Sequence, residues 1–355
     1  MPEETRQLGC VLAPEPIGLP SIEPLLGAGG LPDQYIVPSW RDCFDDSFNP
    51  IADKISPRIL NQGAIDSCVG HGTAVQKSAQ EGVLISPREI FRLAKRKDGY
   101  PLSSFGTTLS AAQDALVDPG AAESSLVNGD PAMGRDAYLS LGDVTPEIEA
   151  SRAKHKAKQP YFVPRTAIQQ TILTYGFPVV TSSAWYPQDH AIGADGIMRL
   201  PTSSQWVGHA YACLGWIRRL VDGSSKVCLV MVNSFGAGWG MSGLFLVPLD
   251  GTENRLSNAY VSIDIEPSLA QVLANFNGRN VRCGVDHWRI ESGKRRKYPN
   301  EIVWWAHGNL FGYDVFEISQ EELDVVPAGG DMTIEDAPFK GRELVRQIRQ
   351  HYGHS

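Results

Sequence analysis

The 355-residue sequence predicts an α+β fold: a helical lobe, a twisted antiparallel β-sheet lobe with a cleft between the two, and a small appended α+β module. Three observations predict it. Helical signals dominate from Cys68 to about Leu116, and strand signals with the hairpin dipeptide Asp222-Gly223 dominate after Val163. A new set of short strands and a terminal helix then follows Glu266-Pro267. A chain of this length holds two or three domains, and 42% apolar content can build their cores. The expected boundaries are 1–34 for an extended arm, 35–266 for the two-lobed domain and 267–355 for the module. Within the domain, the lobes span about 35–162 and 163–266.

Residues 1–34 are rich in proline, carry Gly27-Ala28-Gly29-Gly30 and show no helical or strand period, which reads as an extended arm. Such an arm is either a surface tether or a strap that covers the cleft. In the stretch Asn61–Ala74, Ser67 is a good N-cap residue whose hydroxyl can accept a first-turn N–H. Behind it, Cys68, Gly72, Val75 and Ala79 recur at helical spacing. Gly70 and Gly72 each cost roughly 1 kcal/mol relative to Ala in a helix, so close packing should compensate. Further helices read at Pro87–Lys97 and Leu109–Leu116, the latter stopped by Asp118-Pro119-Gly120. Tyr138 to Gln159 is polar, and its charge run Ala153–Lys158 reads as a solvated helix.

Arg165–Tyr175 reads as a helix ended by Gly176, with Pro178 beyond it. Val179–Trp185 is a strand and Gln188–Gly196 a loop. Val207–Trp216 and Lys226–Asn233 read as two strands facing each other across Asp222-Gly223, and strands at Gly243–Leu249 and Ala259–Ile265 follow. In the module, Asp286–Glu291, Ile302–His307 and Tyr313–Ile318 are short strands. Gly341–Tyr352 is a helix with Leu344, Val345 and Ile348 as its apolar stripe. Lys294-Arg295-Arg296-Lys297 falls in a turn between strands, either as a solvated hairpin tip or as a contact for an acidic partner or a phosphate. Trp304 and Trp305 point to opposite faces of a strand, which leaves one for a partner.

A thiol at a helix N-terminus lies at the positive end of the helix dipole, which favours thiolate. Gln62, six residues before Cys68, carries an amide that can donate to an oxyanion beside the sulfur. By itself Cys68 reads equally well as a buried structural thiol. His209 and Asn233 lie on the two strands that face each other across Asp222-Gly223, within a few residues of being opposite. They offer the thiol a base and the base an orienting amide, which is the logic of covalent acyl transfer. A lone His in an apolar strand is more often a satisfied core residue, but three such groups in this order are hard to dismiss. His71, three residues after Cys68, is a rival base only if the packed helix leaves it room.

Taken together, these residues resemble the papain-like cysteine peptidases. That family pattern is a glutamine-glycine turn, a serine-cysteine opening a helix, and a His and an Asn about 130–150 residues downstream. The segment from Asn233-Ser234-Phe235-Gly236 through Trp239-Gly240 to Gly243-Leu244-Phe245 is similar to the family's Asn-Ser-Trp-Gly…Trp-Gly…Gly-Tyr run. Tyr35–Asp46, Leu84–Ala94 and Gly106–Leu116 continue the resemblance, which runs from about Val37 to Ile265. It implies Gln62 as oxyanion donor, Cys68 as nucleophile, His209 as base and Asn233 as orienter. It also implies Asp66, Gly106, Gly208 and Trp239 as substrate-groove residues, with Phe235 and Trp239 screening the His–Asn bond, and neither cofactor nor metal. The departures are Ile65 for a family cysteine, Asp66 for a glycine, and Val69 and Phe235 for tryptophans. Asp66 in the groove would favour a basic side chain just before the scissile bond. The family's long helical propeptide does not fit in residues 1–34, which implies a peptidase born active or restrained by something else.

A net charge of −8 argues against a nucleic-acid partner. The six cysteines, at 10, 43, 68, 213, 228 and 283, form no disulfide framework or metal pattern and suit a reducing compartment. The acidic, proline-broken N-terminus is neither a signal peptide nor a membrane span. The expectation is a cytoplasmic cysteine endopeptidase of bacterial or phage type, acting on peptide or isopeptide bonds of polypeptide substrates. The alternative is a papain-fold subunit of a larger assembly, such as a phage-like particle, with residues 267–355 holding the protein partner and little or no turnover. A transglutaminase or wall amidase would share the Cys–His chemistry without the run that begins at Asn233.

Overall fold

The computed structural model describes residues 9–12, 19–23, 26, 30–263, 279–283, 285–291, 294–299 and 315–333. The chain divides into two compact units, Met1–Asp264 and Ile265–Ser355.

In the first unit, the arm leads into strand β1 (Tyr35–Ile36) and two short helices, α1 (Pro38–Arg41) and α2 (Ala52–Ile55). The helical lobe is then built on α3 (Cys68–Glu81), α4 (Pro87–Lys97), α5 (Leu109–Val117), α6 (Arg135–Leu139) and α7 (Pro146–Lys154). Local chemistry sets most of these starts. The Ser86 and Thr108 hydroxyls accept the Glu89 and Ala111 amides, and Pro87 occupies the first turn of α4, where no amide is needed. Gly82, in the left-handed conformation at φ 70°, closes α3.

Ser67 departs from expectation. It stands at the N-cap of α3, but its side chain makes no cap bond; its Oγ lies 3.3 Å from His71 Nδ1 instead. The two glycines of α3 are explained by packing. A Cβ on Gly70 would sit 2.4 Å from the Pro87 carbonyl oxygen, and one on Gly72 would sit 3.2 Å from the Tyr211 backbone. Close approach on two sides thus offsets the helix-propensity cost.

A buried charge cluster ties the helical lobe together. Glu89 on α4 bonds Arg92 at 2.6 Å and Arg152 of α7 at 2.5 Å, while Arg88 and Arg92 share Asp143. The charge run after α7 is not a solvated helix throughout. His155 turns inward, with Nδ1 2.8 Å from Glu81 and Nε2 3.1 Å from Glu123.

The sheet lobe comprises β2 (Gln159–Val163), helix α8 (Ile168–Tyr175), β3 (Val179–Trp185), β4 (Val207–Val221), β5 (Ser224–Val232), β6 (Leu244–Pro248) and β7 (Ala259–Ile263). The order is β2-β7-β3-β4-β5-β6, with β1 also on β4 and every pairing antiparallel. Asp222 and Gly223, both at positive φ, make the tight turn between β4 and β5, as their types predict. Both strands run further toward that turn than expected, because Ile217 to Val221 continue to pair. The helix expected at Arg165–Tyr175 begins as a 3₁₀ turn, Arg165–Ala167, before α8. One large core, including Trp185, Trp216 and Phe245, fills this lobe. All six cysteines are free thiols. Among the described residues, no helix is long and apolar enough to cross a membrane.

The second unit contains β8 (Arg279–Cys283), β9 (Asp286–Glu291), β10 (Lys294–Lys297), β11 (Val315–Glu317) and helix α9 (Gln320–Val325). They form a four-stranded sheet of order β10-β9-β8-β11 over Val281, Ile290, Ile318, Leu323 and Val326. The basic run expected in a turn is itself the strand β10, paired with β9 from Lys294↔Glu291 to Lys297↔Trp288. Alternation explains this: long basic stems can cover a sheet while their charges reach acids, as Arg295 does at Asp324 and Lys297 at Asp286. The strand expected at Ile302–His307, including Trp304 and Trp305, and the helix expected at Gly341–Tyr352 lie outside the described residues.

The Glu89 cluster yields a stability prediction. Glu89→Ala leaves the Arg152 guanidinium without its carboxylate and Arg92 with Asp143 alone, and should cost about 3–5 kcal/mol of unfolding free energy. Urea denaturation followed by far-UV circular dichroism measures it, and a loss below 1 kcal/mol would contradict the assigned network.

Candidate active site

The turn before α3 is pinned to the strand segment after β5. The Gln62 amide donates from the backbone to the Ser234 carbonyl at 2.9 Å, and the Gly236 amide donates to Leu60. The Gln62 side chain accepts from Ser234 Oγ at 2.5 Å and donates through Nε2 to the Ile65 carbonyl at 2.7 Å. Gly63 makes the bend at φ 55°, a conformation that glycine adopts without a Cβ penalty. These contacts deliver Cys68 to the first turn of α3 against β4.

On β4, His209 is paired with Ser183 of β3. Its Nε2 lies 2.7 Å from Asn233 Oδ1, and the same oxygen accepts the Ser234 amide at 2.8 Å. Asn233 follows directly after Val232, which pairs with Ala212, so the hairpin register brings it diagonally beside His209. Because an amide oxygen only accepts, Nε2 of His209 carries the proton in this bond.

The imidazole is packed between aromatic rings. Phe235 stacks on it at 4.9 Å between centroids, and Trp185 meets it edge-on at 4.7 Å. Trp239 backs Phe235 at 5.3 Å and donates from its indole to the His190 carbonyl. Trp239 is therefore part of the screen behind the imidazole, with only 7% of its surface exposed, rather than an open groove wall. Trp185 and Ser234 complete this environment without having been singled out in the sequence. Ser234, adjoining Asn233, had a usable signal; Trp185, at a strand end distant in sequence, had none.

Cys68 is completely buried, with its Sγ facing the backbone N–H groups of Ala210 and Gly9. Burial pushes its thiol up to about 11, while the two amides pull it back and Asp66 adds to the rise. Part of the cover is the N-terminal arm. Gly9 accepts from Thr107 at 2.8 Å, Cys10 donates to the Gly208 carbonyl at 3.1 Å, and Val11 donates to Thr107 at 2.9 Å. Gly106 and Gly208 are the two walls of this passage. A Cβ on Gly106 would lie 1.9 Å from the Gly9 oxygen, and one on Gly208 would lie 1.8 Å from the Cys10 oxygen.

Asp66 corrects an expectation. It is buried, bonded to Arg135 at 2.8 and 3.1 Å and accepting the Gly106 amide at 2.5 Å. Its charge is consumed inside the helical lobe, and the idea that it selects a basic substrate side chain is withdrawn. His71 is also structural. Its Nδ1 lies 2.9 Å from the Ser67 carbonyl, and burial lowers its pKa to about 4, so it is neutral at pH 7.

The fold is papain-like. Xylellain, a cysteine protease from Xylella fastidiosa, superposes with a TM-score of 0.54 at 16% identity, over 73% of this chain and 97% of its own. Procathepsin B S9 from Trypanosoma congolense gives 0.53 at 17% identity, over 73% of this chain and 87% of that one. Procathepsin L2 from the larval midgut of Tenebrio molitor gives 0.52 at 17%, over 74% and 80%. No family model and no curated protein matches the sequence. At such identities the papain-like likeness is one of architecture, and both the antiparallel sheet and the helices packed against it share it.

His71 supplies a test of this geometry. Its folded pKa lies below the unfolded value of 6.5, so the unfolded chain binds more protons between pH 6.5 and about 4. Its contribution to stability is therefore full above pH 6.5 and lost as pH falls toward 4. An NMR titration should show the His71 imidazole neutral at pH 5.5; protonation near pH 6.5 would contradict its burial.

Proposed function

We propose that the first unit is a cysteine endopeptidase that hydrolyses peptide or isopeptide bonds through Cys68, His209 and Asn233. The observation that carries this reading is the 2.7 Å bond from His209 Nε2 to Asn233 Oδ1, on a strand whose next amide, that of Ala210, faces the sulfur at the start of α3. An oriented imidazole, on the residue before the amide that meets a helix-terminal thiol, supplies with that thiol the two groups covalent acyl transfer requires.

In this reading His209 takes the thiol proton through Nδ1, and the sulfur forms a bond to the substrate carbonyl carbon. The carbonyl π pair moves to oxygen, where the Cys68 amide and the Gln62 side-chain amide donate to it. One N–H of that side chain is held by Ile65, which fixes the direction of the other. His209 then protonates the leaving amine as the C–N bond breaks, giving a thioester. Water, deprotonated by His209, attacks the thioester; the acid departs and the thiol is restored. Asn233 holds the productive tautomer, and Phe235, Trp185 and Trp239 keep water from that bond.

Hydrolysis of dye-labelled casein and labelling by the epoxide E-64 should both disappear in Cys68→Ala. Both are to be measured in the full chain and in a chain lacking residues 1–18, because Gly9 and Cys10 lie over the sulfur. Gln62→Ala should lower kcat by about 10²–10³ while E-64 still labels Cys68. Turnover that survives Cys68→Ala would end this assignment.

A further inference from the structure

We propose that Arg135 is a positioning residue for the substrate main chain: through Asp66 it holds the Gly106–Thr107 wall of the cleft at a fixed distance from Cys68. This rests on the peptidase reading above and concerns how that site binds its polypeptide.

Thr107 carries the main-chain groups of this wall. Its amide and its carbonyl both face the passage over Cys68, where they bond backbone at 2.8 and 2.9 Å. Pairing of this kind is how an extended polypeptide is bound, so the placement of the wall bears on affinity whatever the side chains.

Burial of apolar side chains does not hold the wall in place. The segment leading to it exposes Tyr100, Leu102 and Phe105 by 49, 46 and 60%. Its backbone is held instead by one ion pair. Arg135, at the start of α6, donates through Nη1 to the Leu102 carbonyl at 2.8 Å and through Nη2 to the Ser104 carbonyl at 2.7 Å. The same guanidinium bonds both oxygens of Asp66, and Asp66 Oδ2 accepts the Gly106 amide. Backbone groups at 102, 104 and 106 therefore all end on one pair of charges. Lys95 adds a brace, with Nζ 2.8 Å from Ser104 Oγ and 2.9 Å from Asp98.

Both ends of this linkage are fixed by packing. Asp66 is fully buried, two residues before Cys68. The helix that carries Arg135 is seated on the same turn, because Tyr138 and Leu139 pack with Phe91 and Ile65. Displacing the guanidinium therefore changes the separation of wall and sulfur. The planar fork is needed for this: one group makes four N–H bonds, a pattern that a lysine ammonium on a flexible stem cannot reproduce.

The test compares the full chain with Arg135→Gln and Arg135→Lys. Hydrogen exchange read by mass spectrometry is followed in the peptides covering 98–107 and α4, and KM and kcat are measured on dye-labelled casein. Exchange over 98–107 should rise about tenfold or more in both variants, with α4 unchanged. KM should rise about tenfold while kcat stays within about threefold, the signature of lost uniform binding. Arg135→Lys keeps a charge for Asp66, and so decides the matter where Arg135→Gln does not fold, but it should not restore KM. Unchanged exchange over 98–107, an unchanged KM, or recovery of KM in Arg135→Lys would overturn the proposal. Raised exchange with no hydrolysis even by the unaltered chain would keep the brace and remove the peptidase reading, and substrate positioning with it.

Discussion

The close approach of α3 to β4 sets the geometry of the whole cleft. Gly72 brings the helix backbone to within contact of Tyr211, and Gly70 does the same against α4. Were either position larger, the helix would stand off, and its N-terminal thiol would no longer meet the amide next to His209. Around this contact, the turn at Gln62–Gly63 is bonded to Ser234, so that thiol, imidazole and carboxamide are held by one short hydrogen-bonded loop of structure. Helices and strands hold such positions better than loops do, because their backbones are already fully bonded.

The acids near the start of α3 are paired inside the helical lobe. Asp66, two residues from Cys68, is spent on Arg135, and Glu89 on Arg92 and Arg152. Both clusters brace the helical lobe. His71, the second imidazole near the sulfur, is kept neutral by burial. What remains around His209 is aromatic, an environment that lowers the local dielectric and strengthens the bond to Asn233.

The arm introduces a tension between ionisation and access. A thiol at a helix start favours its anion, yet burial beneath Gly9 disfavours it. Desolvation wins in this closed arrangement, because no water reaches the sulfur. A four-residue strand can do this because its contacts are backbone to backbone, at glycines on both walls and on the arm itself.

The sequence by itself determined the elements and the candidate groups whose signals are local. The helices that start at Pro87 and Leu109, the Asp222-Gly223 turn, the two strands on either side of it, and the order Gln62, Cys68, His209, Asn233 could all be read within short windows. Tertiary structure alone decided what depends on a distant partner. Asp66 met Arg135, 69 residues away; His155 turned inward to Glu81, 74 residues away; Trp185 came to lie beside the imidazole. The path of residues 9–12 was decided in the same way. A proline-rich segment has no periodicity to reveal which surface it will cross, whereas the fit of bare backbone between Gly106 and Gly208 exists only once both lobes have formed.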